Sequence, residues 1–182
     1  MIHARPELAI QDFIPYLCSI RNHLSGSKIG LAIENTPTTT PVYLNDLFTQ
    51  LRNTDTQHGA GIGVCLDIGH ANLCPATPND YCGFLAQLST EIPILHAHFH
   101  RNAGDTDSHL PLFPDSMKTT FSLSSHSDTT GLAHLITQLC ARHFHGMIIL
   151  EQWPSPPELL VTGRKNLQLL YMDKQGGWIR SR

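Results

Sequence analysis

The segment ILHAHFHRNAGDTDSHLPLF, residues 94–113, carries four of the chain's twelve histidines, together with Asn102, Asp105 and Asp107. Imidazole at that density is a mark of metal sites, because a neutral ring offers a nitrogen lone pair to a divalent ion. A two-residue period through its first half puts His96, His98 and His100 on one face and Leu95, Ala97 and Phe99 on the other. Three further apolar runs close on groups of similar chemistry: KIGLAIEN (28–35) on Glu34, GIGVCLDIGH (61–70) on Asp67 and His70, and HGMIILEQW (145–153) on Glu151. By the same period Glu34 shares a face with Gly30 and Ala32, Asp67 with Gly63 and Cys65, and Glu151 with Met147 and Ile149, while Ile33, Leu66 and Leu150 face the other way. Each run therefore places a metal-capable side chain near its C-terminal end, on one common face. Carboxylates and imidazoles gathered in this way can bind a divalent cation and carry protons.

Strands must position these groups, and helices must separate the strands. Helical spacing runs through Leu8, Ile10, Phe13, Ile14, Leu17 and Cys18, through Leu44, Leu47, Phe48 and Leu51, and through Leu132, Leu135, Ile136 and Leu139. Residues 80–90 predict a shorter helix. Ser155, Pro156 and Glu158 form a start signal for a last helix that runs to about Tyr171. TPTTTP (36–41) and the Ser/Thr-rich 115–131 read as loops, the second long enough for an insertion or lid. Alternation of helix and strand predicts an α/β fold with parallel strands and crossover helices. In a (β/α) barrel the C-terminal strand ends form the active-site face.

The composition narrows the partners. The chain has 182 residues, 41% apolar and 15% charged, and one globular domain is expected. Twelve Lys and Arg stand against fifteen acids without a basic run, which argues against a polyanion partner. No apolar stretch approaches the roughly 20 residues of a membrane span, and MIHARPELAI lacks a signal-peptide core, so a cytoplasmic protein is expected. Cysteines 18, 65, 74, 82 and 140 form no C-x-x-C pair and read as reduced, mostly buried thiols. His23, His58, His126, His134, His143 and His145 read as surface residues.

At IENTP (33–37), GVCLDIGHANL (63–73), HAHFHRNAGDTDSHLPL (96–112) and GMIILE (146–151) the sequence resembles the xylose-isomerase-like TIM barrels, a superfamily of sugar and sugar-phosphate isomerases and epimerases that also includes endonuclease IV. The resemblance implies that Glu34, Asp67, His98 and Glu151 ligate one divalent metal, Zn, Mn or Mg, with Glu34 and Glu151 also the catalytic proton carriers. It implies a second metal set of His70, Asp107 and His109, and places His3 at the end of the preceding barrel strand as an additional ligand. His96, His100 and Arg101 are expected to orient a ligand from behind or to touch substrate. At His100 and Arg101 the family more often has a small polar residue followed by Asp, and Phe113 stands where glycine is usual.

A TIM barrel usually takes about 250 residues, and the matched motifs correspond to barrel strands five to eight. The expectation is thus the C-terminal half of a barrel, a homodimer or a chain completed by a missing N-terminal half. The implied function is a metal-dependent sugar or sugar-phosphate isomerase or epimerase. The alternatives are an endonuclease IV-like zinc phosphodiesterase acting at abasic sites in DNA and an inactive remnant that only binds metal.

Overall fold

The computed structural model describes residues 1–54, 61–113, 131–152 and 157–174. Within them the elements run β1 (Ile2–His3), α1 (Ile10–His23), β2 (Leu31–Glu34), α2 (Pro41–Thr54), β3 (Ile62–Asp67), α3 (Ile68–Leu73), α4 (Tyr81–Gln87), β4 (Ile94–Phe99), α5 (Leu132–Ala141), β5 (Met147–Leu150) and α6 (Pro157–Lys174). The strands form one all-parallel sheet in the order β1-β2-β3-β4-β5. The expected α/β alternation is therefore present. The cap residues Ser155 and Pro156, the segment 115–130, His58 and His126 lie outside the described residues.

Helices and sheet bury most of the apolar stripes predicted from spacing, but Leu8 lies before α1 and is exposed. Leu17 of α1, Leu44 and Leu47 of α2, Phe84 of α4 and Leu135, Ile136 and Leu139 of α5 are fully buried with Ile33, Val64, Leu66, Ala97 and Phe99 of the strands. Successive helices pack on one another, α1 on α2, α2 on α4, α4 on α5 and α5 on α6, which makes one helical layer over the sheet. Arg142 ties α5 to α4 by donating to the carbonyls of Leu85, Leu88 and Ser89 at the C-terminal end of α4. Among the described residues no helix is long and apolar enough to cross a membrane.

Two local features depart from the sequence reading. The strand of residues 61–70 stops at Asp67, whose side chain accepts from the backbone N–H of His70 at 2.8 Å and caps α3, so Gly69 and His70 are helical. The register of β3 against β4 pairs Val64 with Ile94 and Cys65 with His96, leaving Leu95 as an extra residue in a β-bulge. Strict alternation sends Leu95 to the helical side with Ala97 and Phe99. The bulge instead lays its side chain over Gly63 and Gly30, on the same face as the polar groups.

Candidate metal centre

The polar face gathers its ligands by a stepwise register. Glu34 aligns with Cys65, Cys65 with His96 and His96 with Met147, while Asp67 aligns with His98 and His98 with Ile149. Glu151 follows β5, its backbone N–H donating to Phe99 O at 3.1 Å. Glu34, Asp67, His98 and Glu151 thus come from four adjacent strands, each at its C-terminal end. In a flat sheet β2 and β5 would stand about 14 Å apart, yet one ligand atom from each of the four lies within 4.8 Å of the others. Their convergence is what a sheet curled toward this face produces.

His98 is at the centre. Its Nδ1 lies 2.8 Å from Glu34 Oε1, 3.0 Å from Glu151 Oε2 and 3.8 Å from Asp67 Oδ2. That nitrogen is buried and is aligned as a hydrogen bond with none of the three. A nitrogen aimed between carboxylates is the arrangement a bound cation requires, and three carboxylates with one imidazole make a hard, oxygen-rich donor set that fits a divalent ion. The Glu34 carboxylate, opposed by burial and aided by Glu151 and Asp67, holds His98 above its ordinary pKa. Glu34 is 4% exposed and Glu151 40%, so the centre opens to solvent on the Glu151 side.

Asp67 is fully buried and fixed from several directions. Its backbone N–H donates to Asn35 Oδ1 and its carbonyl accepts from Asn35 Nδ2, each at 2.9 Å. Burial works against its charge, but the His100 hydrogen bond and the proximity of His70 and His100 outweigh it and keep the carboxyl below its usual range. His3, on the exposed edge strand β1, places Nε2 3.0 Å from Glu34 Oε2. The expected additional ligand therefore reaches the first cluster.

The expected second set meets at Asp107, but His70 falls in a compact donor group with Asp67 and His100 and not in one with His109. Asp107 Oδ2 is 3.0 Å from His70 Nε2 and 3.3 Å from His109 Nε2. His109 has a backbone φ of +47°, in the left-handed region, and its Nδ1 lies 3.0 Å from Glu151 O. Strain of that kind concentrates at functional sites. His100, 1% exposed, stacks on His109 with ring centroids 4.0 Å apart, and its Nε2 lies 3.0 Å from Asp67 Oδ1. Burial disfavours its charge, but the Asp67 hydrogen bond and charge, with Asp107 and Glu151, raise its pKa.

His96 packs edge-on against His98 at 5.1 Å, and burial followed by the His98 charge lowers its pKa. It sits with Cys65 and His98 in a compact group. Burial, then Glu34, Asp67 and Glu151, push the Cys65 thiol up, which keeps it neutral beneath the carboxylates. Arg101 is exposed and joins the neighbourhood through its backbone, which bridges Leu110. Phe113 is buried in the core cluster. His23, His134, His143 and His145 are exposed, as expected, and all five cysteines are free.

Sequence reasoning missed Asn35 and Asn102. Both are buried: Asn102 donates to Gly69 O at 2.7 Å and accepts from Asn72 at 2.8 Å, holding α3 against the loop after β4. The available signal was an amide next to each strand-end candidate, in IEN and HRN. No protein-family model, curated protein or solved structure matches the chain.

Proposed function

We propose that this protein is a divalent-metal-dependent isomerase or epimerase of a sugar or sugar phosphate, built on part of a (β/α)-barrel of the xylose-isomerase-like type. The observation that carries this reading is the convergence of Glu34, Asp67, His98 and Glu151 from four consecutive strand ends. Two features of the sheet support a barrel-type arrangement. Strand order follows the sequence without the reversal that marks a doubly wound sheet. Glu34 aligns with Met147 through Cys65 and His96, and Glu151 lies four residues beyond Met147, so the ligands climb four residues over three strand-to-strand steps. That is near the roughly one residue per strand of an eight-stranded barrel of shear 8.

Glu34, Asp67, His98 and Glu151 would hold Mn²⁺, Mg²⁺ or Zn²⁺, with His3 beside Glu34. A bound divalent ion supplies positive charge that orients neighbouring hydroxyl and carbonyl oxygens of a substrate and acidifies the adjacent C–H. Glu34 and Glu151 flank His98 Nδ1 at 2.8 Å and 3.0 Å, one buried and one half exposed. Such a pair suits removal of a proton from one face of a carbon and its return on the other. His96 and His100, on the same face, would contact substrate or steady the ligands. The lack of a basic run favours a small-molecule substrate over a nucleic acid. A pocket formed by strand-end loops calls for more of them than five strands supply, so a second copy or a separate chain is the proposed partner.

A zinc phosphodiesterase acting at abasic DNA is the second reading, favoured by the placement of His70 and His109 around Asp107. Two measurements test the pair. Elemental analysis after equilibration with Mn²⁺ or Zn²⁺ should find at least one ion per chain in the wild type and loss of it in Glu34→Gln/Glu151→Gln. Equal, negligible metal in both ends the metal-dependent reading. Assay of the metal-loaded chain on a ketose and ketose-phosphate panel and on abasic-site DNA separates the two chemistries; turnover of DNA alone overturns the isomerase assignment.

A further inference from the structure

We propose that His100 is itself a metal ligand, holding with Asp107 and His109 a nitrogen-rich site, flanked by His70, that takes Zn²⁺ in preference to the harder ions suited to the carboxylate cluster beside it. The inference rests on the metal-dependent reading above and deepens it by assigning a different ion class to each cluster.

Hydrogen-bond bookkeeping leads to it. A backbone carbonyl only accepts, so His70 Nδ1, 2.8 Å from Asn35 O, carries its hydrogen, and so does His109 Nδ1, 3.0 Å from Glu151 O. Each neutral ring is then left with a lone pair on Nε2. Both lone pairs face Asp107 Oδ2, at 3.0 Å and 3.3 Å, which is also an acceptor. Three acceptors turned on one another require positive charge among them. One divalent ion supplies it, and a ligating histidine whose other ring nitrogen is held by a carbonyl is the usual pattern at metal sites.

His100 completes this set. Its Nε2 stands between two carboxylates, 3.0 Å from Asp67 Oδ1 and 3.7 Å from Asp107 Oδ1. Its Nδ1 is buried with no hydrogen-bond partner. The compact donor groups here are Asp67–His70–His100 and His100–Asp107–His109, and His100 is the residue common to both. The fold reserves its place: a Cβ on Gly69 would lie 1.9 Å from His100 Cε1, so a side chain at that position would displace the ring. Two imidazoles and a carboxylate, with the His70 ring on the other side of Asp107, suit Zn²⁺, whereas the three carboxylates of the neighbouring cluster suit Mg²⁺ or Mn²⁺.

The test uses the ¹⁵N-labelled full chain, freed of metal, with histidine side-chain NMR spectra recorded in Mg²⁺ and then with added Zn²⁺. Expected is a shift of the Nε2 resonances of His70, His100 and His109 on Zn²⁺ addition, with His100 assigned by its loss in His100→Asn. Zn²⁺ affinity should fall in His100→Asn by at least about 10- to 100-fold, the loss that even an indirect partner of a ligand carries. Asp107→Asn, on an exposed loop, should weaken Zn²⁺ while sparing Mg²⁺. Ring nitrogens of His100 that stay unmoved while those of His70 and His109 shift would make His100 only a hydrogen-bonding support for Asp67 and overturn the assignment. No shift in any histidine overturns it too. Failure of the first-cluster reading is read separately, as Mg²⁺ or Mn²⁺ binding that Glu34→Gln/Glu151→Gln leaves unchanged.

Discussion

Asp67 serves several partners with one side chain. One oxygen caps α3 through His70 N–H and faces His100, the other is turned toward His98, and Asn35 grips the backbone on both sides. Replacing Asn35 by Ala removes two hydrogen bonds to backbone groups of the fully buried Asp67. Each such loss costs about 1–3 kcal/mol, so Asn35→Ala should lower the denaturation midpoint by an amount in that range or above and weaken metal binding at the first cluster. A variant with unchanged midpoint and metal affinity would show that water replaces the amide at no cost. The histidines give a pH dependence of definite sign. In the metal-free chain His98 and His100 are held above their ordinary pKa, so they stabilise the fold below about pH 6.5, and that contribution fades as pH rises through their folded values. Asp67, lowered, contributes above the usual carboxylate range and loses its contribution only as pH falls through its folded value. A metal ion needs the neutral rings. The rise in Tm produced by saturating Zn²⁺ should therefore grow between about pH 6 and pH 8; a rise that is flat or shrinks over that range would remove the imidazoles from the ligand set.

At the scale of elements, the bulge at Leu95 decides what lies beneath the metal centre. Its side chain fills the space over Gly63, where a Cβ would stand 2.5 Å from Leu95 Cγ and 2.6 Å from the carbonyl of Pro93. One of those neighbours is backbone and cannot turn aside. Gly63→Ala should thus destabilise by about 1–3 kcal/mol, the usual cost of overpacking, measured as a shift in denaturation midpoint at constant slope. Wild-type stability in this variant would mean that the bulge is not populated in solution. The same bulge shows where sequence reading stops. Period-two alternation by itself put Glu34, Asp67, His98 and Glu151 on one face at successive strand ends, because each of those strands is short and regular over the residues just before its ligand. It misplaced Leu95, since a bulge depends on how β4 pairs with β3 and no single strand records that. The support given by Asn35 and the room left by Gly69 were hidden for the same reason: each acts across 31 residues or more, on Asp67 and His100 respectively.

On the scale of the whole molecule, the sheet has two edges and a concave face to account for. β1 contributes two residues, and among the described residues it pairs only with β2, as β5 does only with β4. Unpaired edges are templates for another chain, which proteins ordinarily blunt with charge, proline or a covering element. β5 itself carries neither charge nor proline: its residues are Met147, Ile148, Ile149 and Leu150, with Met147 69% and Ile149 43% exposed on the side where the ligands gather. Apolar side chains open to water beside a metal centre favour association through that edge, which would also bring further strand-end loops over the site. The chain should therefore self-associate, with an average mass by light scattering that rises with concentration above that of the monomer. Ile149→Lys, which puts charge on the edge, should return it toward the monomer. A wild-type chain that stays monomeric at every concentration and still turns over a substrate at ordinary enzymatic rates would show that five strands close the site unaided.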